Sequence, residues 1–292
     1  MKETKNTEKI TARLLKSIIK KREPNSHKGT YGHAIIVAGS YGKIGAALLA
    51  AKACLRTGAG LLTLYVPKCG YTILQTSVPE AMLICDDNEN FITEGIVLNK
   101  YAAVGIGCGI GTHAKTAKAL KKLIQNSDKP MVIDADAINI IAENVDWLPL
   151  VPKNSIFTPH LKEFERLVGK AKNAKEQHKL QDAFAIKYQV YLILKGHCTR
   201  IACPDGKTYI NSTGNAGMAK ASNGDALTGM ITAFLAQNYS PEQACIAGVY
   251  MHGLAGDIAS KTTGEQALLA SDLINSIGKA FLETALPNKD LE

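Results

Sequence analysis

The sequence lacks several features that would place it in a specialised class of protein. Its seven cysteines are an odd number and include no C-x-x-C pair, which argues against a disulfide framework and a zinc site. It has no run of about eighteen apolar residues, and its charged N-terminus has no apolar stretch that could serve as a signal peptide. We therefore expect a cytoplasmic protein, in a reducing compartment, that does not associate with membranes.

The overall composition is that of an ordinary globular protein. Of its 292 residues, 46% are hydrophobic and 21% are charged, so the chain can bury a large core. The formal net charge of +8 favours anionic partners. The basic residues concentrate in positions 1–28, 115–129 and 162–179 without the interleaved aromatic residues of single-strand binding proteins. We expect a nucleotide as the anionic partner and no nucleic acid.

Apolar segments that end in glycine-rich or polar loops recur along the chain. Continuous apolar runs are typical of parallel strands buried on both faces, and their alternation with helical segments indicates an α/β fold. The predicted strands are residues 34–40, 61–66, 102–106, 131–136, 155–157 and 190–194, followed by a hairpin of 201–203 and 208–210. We predict a mainly parallel sheet, covered by helices on both faces, in a single domain of residues 26–292. Residues 1–25 are predicted to be a basic extension with one short helix.

The stretch of residues 214–230 is where we expect the chemistry. It runs through small residues into Asn223-Gly224-Asp225, and the apolar residues that follow recur every three or four positions, as on one face of a helix. A glycine-rich loop that opens a helix lets a phosphate approach unpaired backbone N–H groups. Asp225 is then either the N-cap of this helix or a base that takes a proton from a substrate hydroxyl.

Two other strand ends carry groups with possible roles in the site. Asp134 and Asp136 lie two positions apart, so they point to the same side if the strand continues through them. Such a pair can order a loop, hydrogen-bond to a ribose or contact Mg²⁺ through water, and we favour loop ordering. Cys108, in the glycine-rich loop 107–111, is interpreted as a spectator thiol.

Several motifs along the chain resemble, in order and spacing, the ADP-dependent NAD(P)H-hydrate dehydratases, a branch of the ribokinase-like superfamily. The motifs are Lys28-Gly29-x-Tyr31-Gly32, Gly45-Ala46-Ala47, Thr57-Gly58-Ala59-Gly60-Leu61, Thr158-Pro159-His160, Lys195-Gly196-x-x-Thr199 and Asn223-Gly224-Asp225. The resemblance covers nearly the whole chain from about residue 25 and implies a ribokinase-like fold. With so few residues before the first motif, we expect a dehydratase domain without the epimerase domain that is fused to some family members.

The resemblance implies the repair of hydrated nicotinamide nucleotides. In this reaction the ring hydroxyl is phosphorylated at the expense of ADP, and phosphate is then eliminated to restore NADH or NADPH, with release of AMP. ADP, with ATP as an alternative donor, and Mg²⁺ are the implied cofactors, and a homotetramer is the implied assembly. Asp225 is the implied base, assisted by Asn223 and Gly224.

The resemblance also implies two sets of contacts. The contacts to the hydrate substrate are Ala46, Gly109, His160 and Asp225. The contacts to the adenine nucleotide are Lys195, Gly196, His197, Cys198, Thr199 and Gly224.

Two other functions are compatible with the glycine-rich loops. A small-molecule kinase of the same superfamily, acting on a vitamin-precursor alcohol, would release a phosphorylated product. A non-catalytic nucleotide-binding module would tolerate the loss of Asp225. The motifs around Tyr31 and His160 favour the dehydratase over the kinase, and the presence of Asp225 with its loop disfavours the module.

Overall fold

In the computed structural model, which describes residues 7–285, ten strands form one sheet. The strands are β1 (Thr7–Lys9), β2 (His33–Val37), β3 (Leu61–Val66), β4 (Met82–Cys85), β5 (Ala103–Ile106), β6 (Met131–Ile133), β7 (Ile156–Phe157), β8 (Tyr191–Leu194), β9 (Thr199–Ala202) and β10 (Thr208–Asn211). Their order across the sheet is β1-β10-β9-β8-β7-β6-β5-β2-β3-β4. Strand β9 is antiparallel to both β8 and β10, and the other neighbouring pairs are parallel. The predicted, mainly parallel sheet is confirmed.

Ten α-helices lie between or after these strands in the described part of the chain. The helices are α1 (Ala12–Ile18), α2 (Ile44–Thr57), α3 (Tyr71–Ser77), α4 (Ala114–Gln125), α5 (Ala135–Glu143), α6 (Leu161–Val168), α7 (Ala174–Tyr188), α8 (Asn223–Ala236), α9 (Pro241–Thr263) and α10 (Ala270–Ala285). None of them has the length and apolar character that a membrane span requires.

The helices cover the sheet on both faces, as the apolar strand sequences predict. Successive side chains of a strand point to opposite faces, and β2 is apolar at every one of its buried positions. Ile36 packs in a core with α1, α2, α3, α8, α9 and α10, whereas Ile35 and Val37 pack in a second core with α4, α5, α6 and α7. Two hydrophobic cores therefore hold the sheet between two layers of helices.

The order of the strands creates a crevice between β2 and β5. Strands β3 and β4 continue the sheet on one side of β2, and β6 to β8 continue it on the far side of β5. Helix α2, which follows β2, and helix α4, which follows β5, pack in different cores on opposite faces. The chain after β2 and the chain after β5 therefore lead to opposite faces of the sheet, which leaves a crevice of the kind in which open α/β sheets bind ligands.

The glycine motifs around Tyr31 and Ala59 lie on the side of the sheet opposite the crevice, where β2 and β3 begin. The amide of Gly60 donates to the Tyr31 carbonyl over 3.0 Å. A Cβ atom at Gly60 would overlap the carbonyl oxygen of Lys28, and one at Gly32 would overlap that of Ala236. These glycines allow close backbone packing at the amino ends of the strands.

The N-terminal segment contributes a strand that the sequence does not signal. Strand β1 pairs with β10, although all three of its residues are exposed. The short helix expected there is present as α1, whose Leu15 is fully buried. The boundary at residue 25 stays a prediction, and residues 1–6 and 286–292 of the predicted extension and domain lie outside the described residues.

Gly229 sets the distance between α2 and α8, because a Cβ atom there would overlap the carbonyl oxygen of Ala50. We expect Gly229→Ala to lower the free energy of unfolding by about 1–3 kcal/mol, the usual cost of overpacking. Gly278 is a matched control in the exposed face of α10, where a Cβ atom would meet no neighbour. Gly278→Ala should raise stability by up to about 1 kcal/mol. Urea titration of both variants checks this, and equal effects would contradict it.

Candidate active site

The loops after β2 and β5 are joined where they form the crevice wall. The amide of Gly39 donates to the Cys108 carbonyl over 2.8 Å, and the Ser40 hydroxyl donates to the Gly109 carbonyl over 2.7 Å. Gly109 has a positive φ of 66°, and a Cβ atom there would lie 3.0 Å from the Ala46 Cβ. The two predicted substrate contacts Ala46 and Gly109 therefore lie side by side in the crevice.

Asp225 lies in the first turn of α8, not at its N-cap. The N-cap residue is Ser222, which has a left-handed φ of 72° and does not cap the helix with its side chain. The helix therefore begins two residues before Asp225, and the N-cap interpretation is wrong. The Asp225 carboxylate instead accepts hydrogen bonds from Ser222 and from the thiol of Cys108.

The surroundings of Asp225 favour a carboxylate that can take up a proton near neutral pH. Burial raises its pKa to about 6, and the negative charge of Asp134 acts in the same direction. The hydrogen bonds from Cys108 and Ser222 and the positive charge of Lys195 act against this rise. At pH 7 the group is mainly ionised, as a general base requires. Burial also raises the pKa of the Cys108 thiol well above its usual value, so the thiol stays protonated and donates.

A buried ion pair lies directly beneath the start of α8. The Lys195 Nζ is 2.9 Å from the Asp134 Oδ1, and the Thr228 hydroxyl donates to Oδ2 over 2.8 Å. The side chain of Asp134 is 2% exposed and that of Lys195 is 23% exposed. Burial raises the pKa of Asp134, but Lys195 and Thr228 bring it below its usual value, so the pair is ionised. Asp134 is thus a fixed negative charge beside Asp225.

The strand does not continue through Asp134 and Asp136, so the condition under which their spacing predicted a common side is not met. Strand β6 ends at Ile133, and Ala135 has a left-handed φ of 49°, so the chain turns between the two carboxylates. Asp136 instead accepts from the Gly111 amide at 2.8 Å and from the Lys43 Nζ at 3.3 Å. Within residues 7–285, no cluster of three or more His, Cys, Asp or Glu side chains could hold a metal ion.

Asn223 and Gly224 form the beginning of α8. The Asn223 side chain donates to the Met218 carbonyl over 2.8 Å, while its Oδ1 is buried without a hydrogen-bond partner among the described residues. A Cβ atom at Gly224 would lie 3.1 Å from the Lys195 Nζ. The absence of a side chain at Gly224 therefore lets the first turn of the helix approach the ion pair.

The predicted nucleotide segment 195–199 is the hairpin between β8 and β9. Gly196, His197 and Cys198 are exposed, and the Thr199 hydroxyl donates to the Gly196 carbonyl over 3.2 Å. Lys195, at the start of the hairpin, directs its ammonium group to Asp134 and not to solvent. A ligand can therefore reach the backbone and the exposed residues of the hairpin.

His160 has a structural role that the sequence analysis missed. Its Nδ1 accepts from the amides of Lys162 and Glu163 at 3.1 and 3.2 Å, and the Glu163 carboxylate accepts from the His160 amide at 2.8 Å. This capping box fixes the start of α6. The Lys195 amide donates to the Pro159 carbonyl over 3.0 Å, which joins this loop to the hairpin. The His160 side chain is 50% exposed, so it can also contact a ligand.

Two further residues shape the site. Thr228 lies three positions after Asp225 on the same face of α8, so the helical spacing could have predicted it. His252, in α9, is partly buried and its Nε2 is 2.9 Å from the Asn223 carbonyl oxygen. Burial lowers the pKa of His252 to about 4, so the ring is neutral and donates to that oxygen. No local sequence pattern links His252 to Asn223.

Comparison with known proteins relates the chain to one family. The family model for NAD(P)H-hydrate dehydratase matches residues 34–279. The ADP-dependent (S)-NAD(P)H-hydrate dehydratase of Neisseria meningitidis is 34% identical over 277 residues, which are 90% of this chain and 89% of that protein. The chain also matches bifunctional NAD(P)H-hydrate repair enzymes at 33–37% identity and spans about half of their length.

Solved structures share the fold over almost the whole chain. The ADP/ATP-dependent NAD(P)H-hydrate dehydratase from Bacillus subtilis, co-crystallised with ATP and Mg²⁺, has a TM-score of 0.81 at 29% identity and covers 96% of this chain and 100% of that one. A ribokinase-like superfamily protein from Enterococcus faecalis has a TM-score of 0.86 at 26% identity and covers 98% and 99%. The predicted ribokinase-like fold is confirmed, and the chain belongs to the NAD(P)H-hydrate dehydratase family.

Proposed function

We propose that this protein is an ADP-dependent NAD(P)H-hydrate dehydratase that restores NADH and NADPH from their hydrates. The observation that carries the proposal is the Asp225 carboxylate, whose pKa is raised to about 6 at the uncapped start of α8 in a chain of this family. A base and an anion-binding helix terminus next to each other suit phosphoryl transfer to a hydroxyl group.

The chemistry explains why a nucleotide is consumed in a dehydration. Hydroxide is a poor leaving group and phosphate is a good one. Asp225 takes the proton of the ring hydroxyl, whose oxygen attacks the β-phosphorus of ADP while AMP leaves. The backbone N–H groups at Asn223 and Gly224 stabilise the negative charge on the transferring phosphoryl. Phosphate then leaves with the electrons of the ring C–O bond, and loss of the neighbouring ring proton restores the dihydropyridine.

The contacts to the two substrates form part of the same proposal. Ala46, Gly109 and His160 contact the hydrate, and their positions in or beside the crevice support this assignment. The hairpin 195–199 and Gly224 contact the adenine nucleotide. For Lys195 we assign the contact to the backbone, because its ammonium group is held by Asp134.

Mg²⁺, assembly and location complete the proposal. The described residues contain no carboxylate cluster that could hold Mg²⁺ by itself, which suits an ion bound mainly by nucleotide phosphates and water. No residue of this chain is assigned to the ion. We also propose a homotetramer and a cytoplasmic location, the latter supported by seven free cysteines.

Replacement of Asp225 tests the proposed reaction. Wild-type protein mixed with hydrated NADH, Mg²⁺ and ADP or ATP should give an increase in absorbance at 340 nm, where only the restored dihydropyridine absorbs. Asp225→Asn removes the base, so kcat should fall by about 10²- to 10⁴-fold. Nucleotide affinity, measured by calorimetry, should change little.

Unchanged turnover in Asp225→Asn would contradict the role of Asp225. A wild-type protein that gives no absorbance change with either nucleotide would favour the kinase, which a screen of small alcohols for phosphorylated products would then test.

The pH dependence of kcat/KM tests the ionisation of Asp225. A base acts when deprotonated, so kcat/KM should be maximal above the pKa and fall as the pH drops through about 6. Cys108→Ala removes a hydrogen bond that favours the carboxylate, so it should shift this fall to higher pH. A pH-independent kcat/KM between pH 5 and 7.5, or a shift to lower pH in Cys108→Ala, would be inconsistent with this assignment.

A further inference from the structure

Lys43 is a cation at the crevice that has no part in the reaction described above. It is the N-cap residue of α2 and lies in the loop after β2. A Cβ atom at Gly109 would lie 3.0 Å from the Lys43 carbonyl oxygen and 3.2 Å from the Lys43 Cβ. The backbone of Lys43 therefore touches the loop that carries Gly109, next to Ala46.

A ligand can replace Asp136 as the ionic partner of Lys43. Its Nζ is 3.3 Å from the Asp136 Oδ2, and its side chain is 54% exposed. Exposed ion pairs of this kind stabilise a protein by only about 0–1 kcal/mol. Asp136 keeps its other partner, the Gly111 amide at 2.8 Å, when Lys43 moves away. Lys43 can therefore turn toward a ligand in the crevice at little cost.

The charges of the crevice explain why a ligand would need Lys43. Three carboxylates lie there, those of Asp134, Asp136 and Asp225. Lys195 pairs with Asp134, and Lys43 pairs with Asp136. Lys195 is held in the buried ion pair, which leaves Lys43 as the exposed cation of this set. A dinucleotide carries a pyrophosphate, and NADPH carries a further phosphate on its ribose. Within the described part of the chain, Asp225 is the one carboxylate of this set without a paired lysine, and its negative charge disfavours such an anion. A cation that meets the anion offsets this repulsion.

We propose that the Lys43 ammonium group leaves Asp136 and binds a phosphate of the nicotinamide dinucleotide substrate. This inference rests on the proposed function for the identity of the ligand. A charge-assisted contact to phosphate typically contributes enough binding free energy to change affinity about tenfold or more. Because this contact is remote from the reacting ring, it affects binding of the ground state and the transition state alike.

Kinetics of four variants test the proposal. Lys43→Ala should raise the KM for the hydrate about tenfold or more and leave kcat within about twofold. Lys43→Arg, which keeps the positive charge, should stay close to wild type. Asp136→Asn frees Lys43 and removes a negative charge, so it should lower the KM. Lys52→Ala is the matched control, because Lys52 is an exposed lysine on the same helix and its loss changes the net charge equally.

Comparing the KM values for NADH hydrate and NADPH hydrate shows which phosphate of the substrate Lys43 binds. An equal rise in KM for NADH hydrate and NADPH hydrate identifies the pyrophosphate, and a rise for NADPH hydrate alone identifies the ribose phosphate. Either result supports the proposal. The proposal is overturned if Lys43→Ala leaves both values unchanged, if it raises only the KM for ADP, or if Asp136→Asn raises the KM as Lys43→Ala does. That last result would show that Lys43 only holds Asp136 in place.

Binding of NADPH itself, followed by its fluorescence, separates this proposal from the proposed function. A wild-type protein without dehydratase activity would refute the function. If such a protein still bound NADPH, and bound it about tenfold more weakly in Lys43→Ala, the phosphate contact would stand. Equal NADPH affinity in wild type, Lys43→Ala and Lys52→Ala would overturn it whatever the activity.

Discussion

The ion pair between Asp134 and Lys195 is the interaction on which the site depends. It joins the carboxyl ends of β6 and β8, and Thr228 ties it to α8. Removing one partner of a buried ion pair leaves an uncompensated charge and typically costs about 3–5 kcal/mol. The pair therefore fixes two strands and the helix that carries Asp225 in one arrangement. Asp134 also places a negative charge beside Asp225 and raises the affinity of this carboxylate for a proton, while Lys195 opposes the rise.

Glycine residues allow α8 to lie this close to the sheet and to its neighbours. A Cβ atom at Gly105 in β5 would lie 2.5 Å from the Thr232 hydroxyl oxygen, and one at Gly224 would press on the Lys195 ammonium group. Gly224, one of the small residues that suggested a phosphate-binding loop, thus also allows close packing of the helix.

Local sequence patterns predicted much of the fold, and the strands that they missed were missed for a common physical reason. Strands β2, β3, β5 and β8 are buried on both faces, so their apolar runs are evident in the sequence. Strands β1 and β4 lie at the two edges of the sheet and are partly or wholly exposed, which removes the apolar signal. Their place is decided by pairing with distant strands, which a local pattern does not record.

The same division applies to the candidate site. The glycine-rich loop and the helical spacing located Asp225, because both signals lie within a few residues of it. The partner of Lys195 lies 61 positions away, and the turn at Ala135 that separates Asp134 from Asp136 has no glycine to announce it. Local spacing suggested candidate groups for the site, but only the folded chain decides which of them meet.

Helix α8 also runs from the carboxyl ends of the central strands to the side of the sheet where β2 and β3 begin. Its first turn carries Asp225 at the crevice. The carbonyl of its last residue, Ala236, packs against Gly32 in the glycine motif before β2. Its fourteen residues form a rod about 20 Å long. Because a packed helix moves as a rigid unit, a displacement at Gly32 would be carried along this rod to Asp225. The distant glycine motif thus supports the far end of the helix that carries Asp225, so the position of this carboxylate depends on backbone packing about 20 Å away.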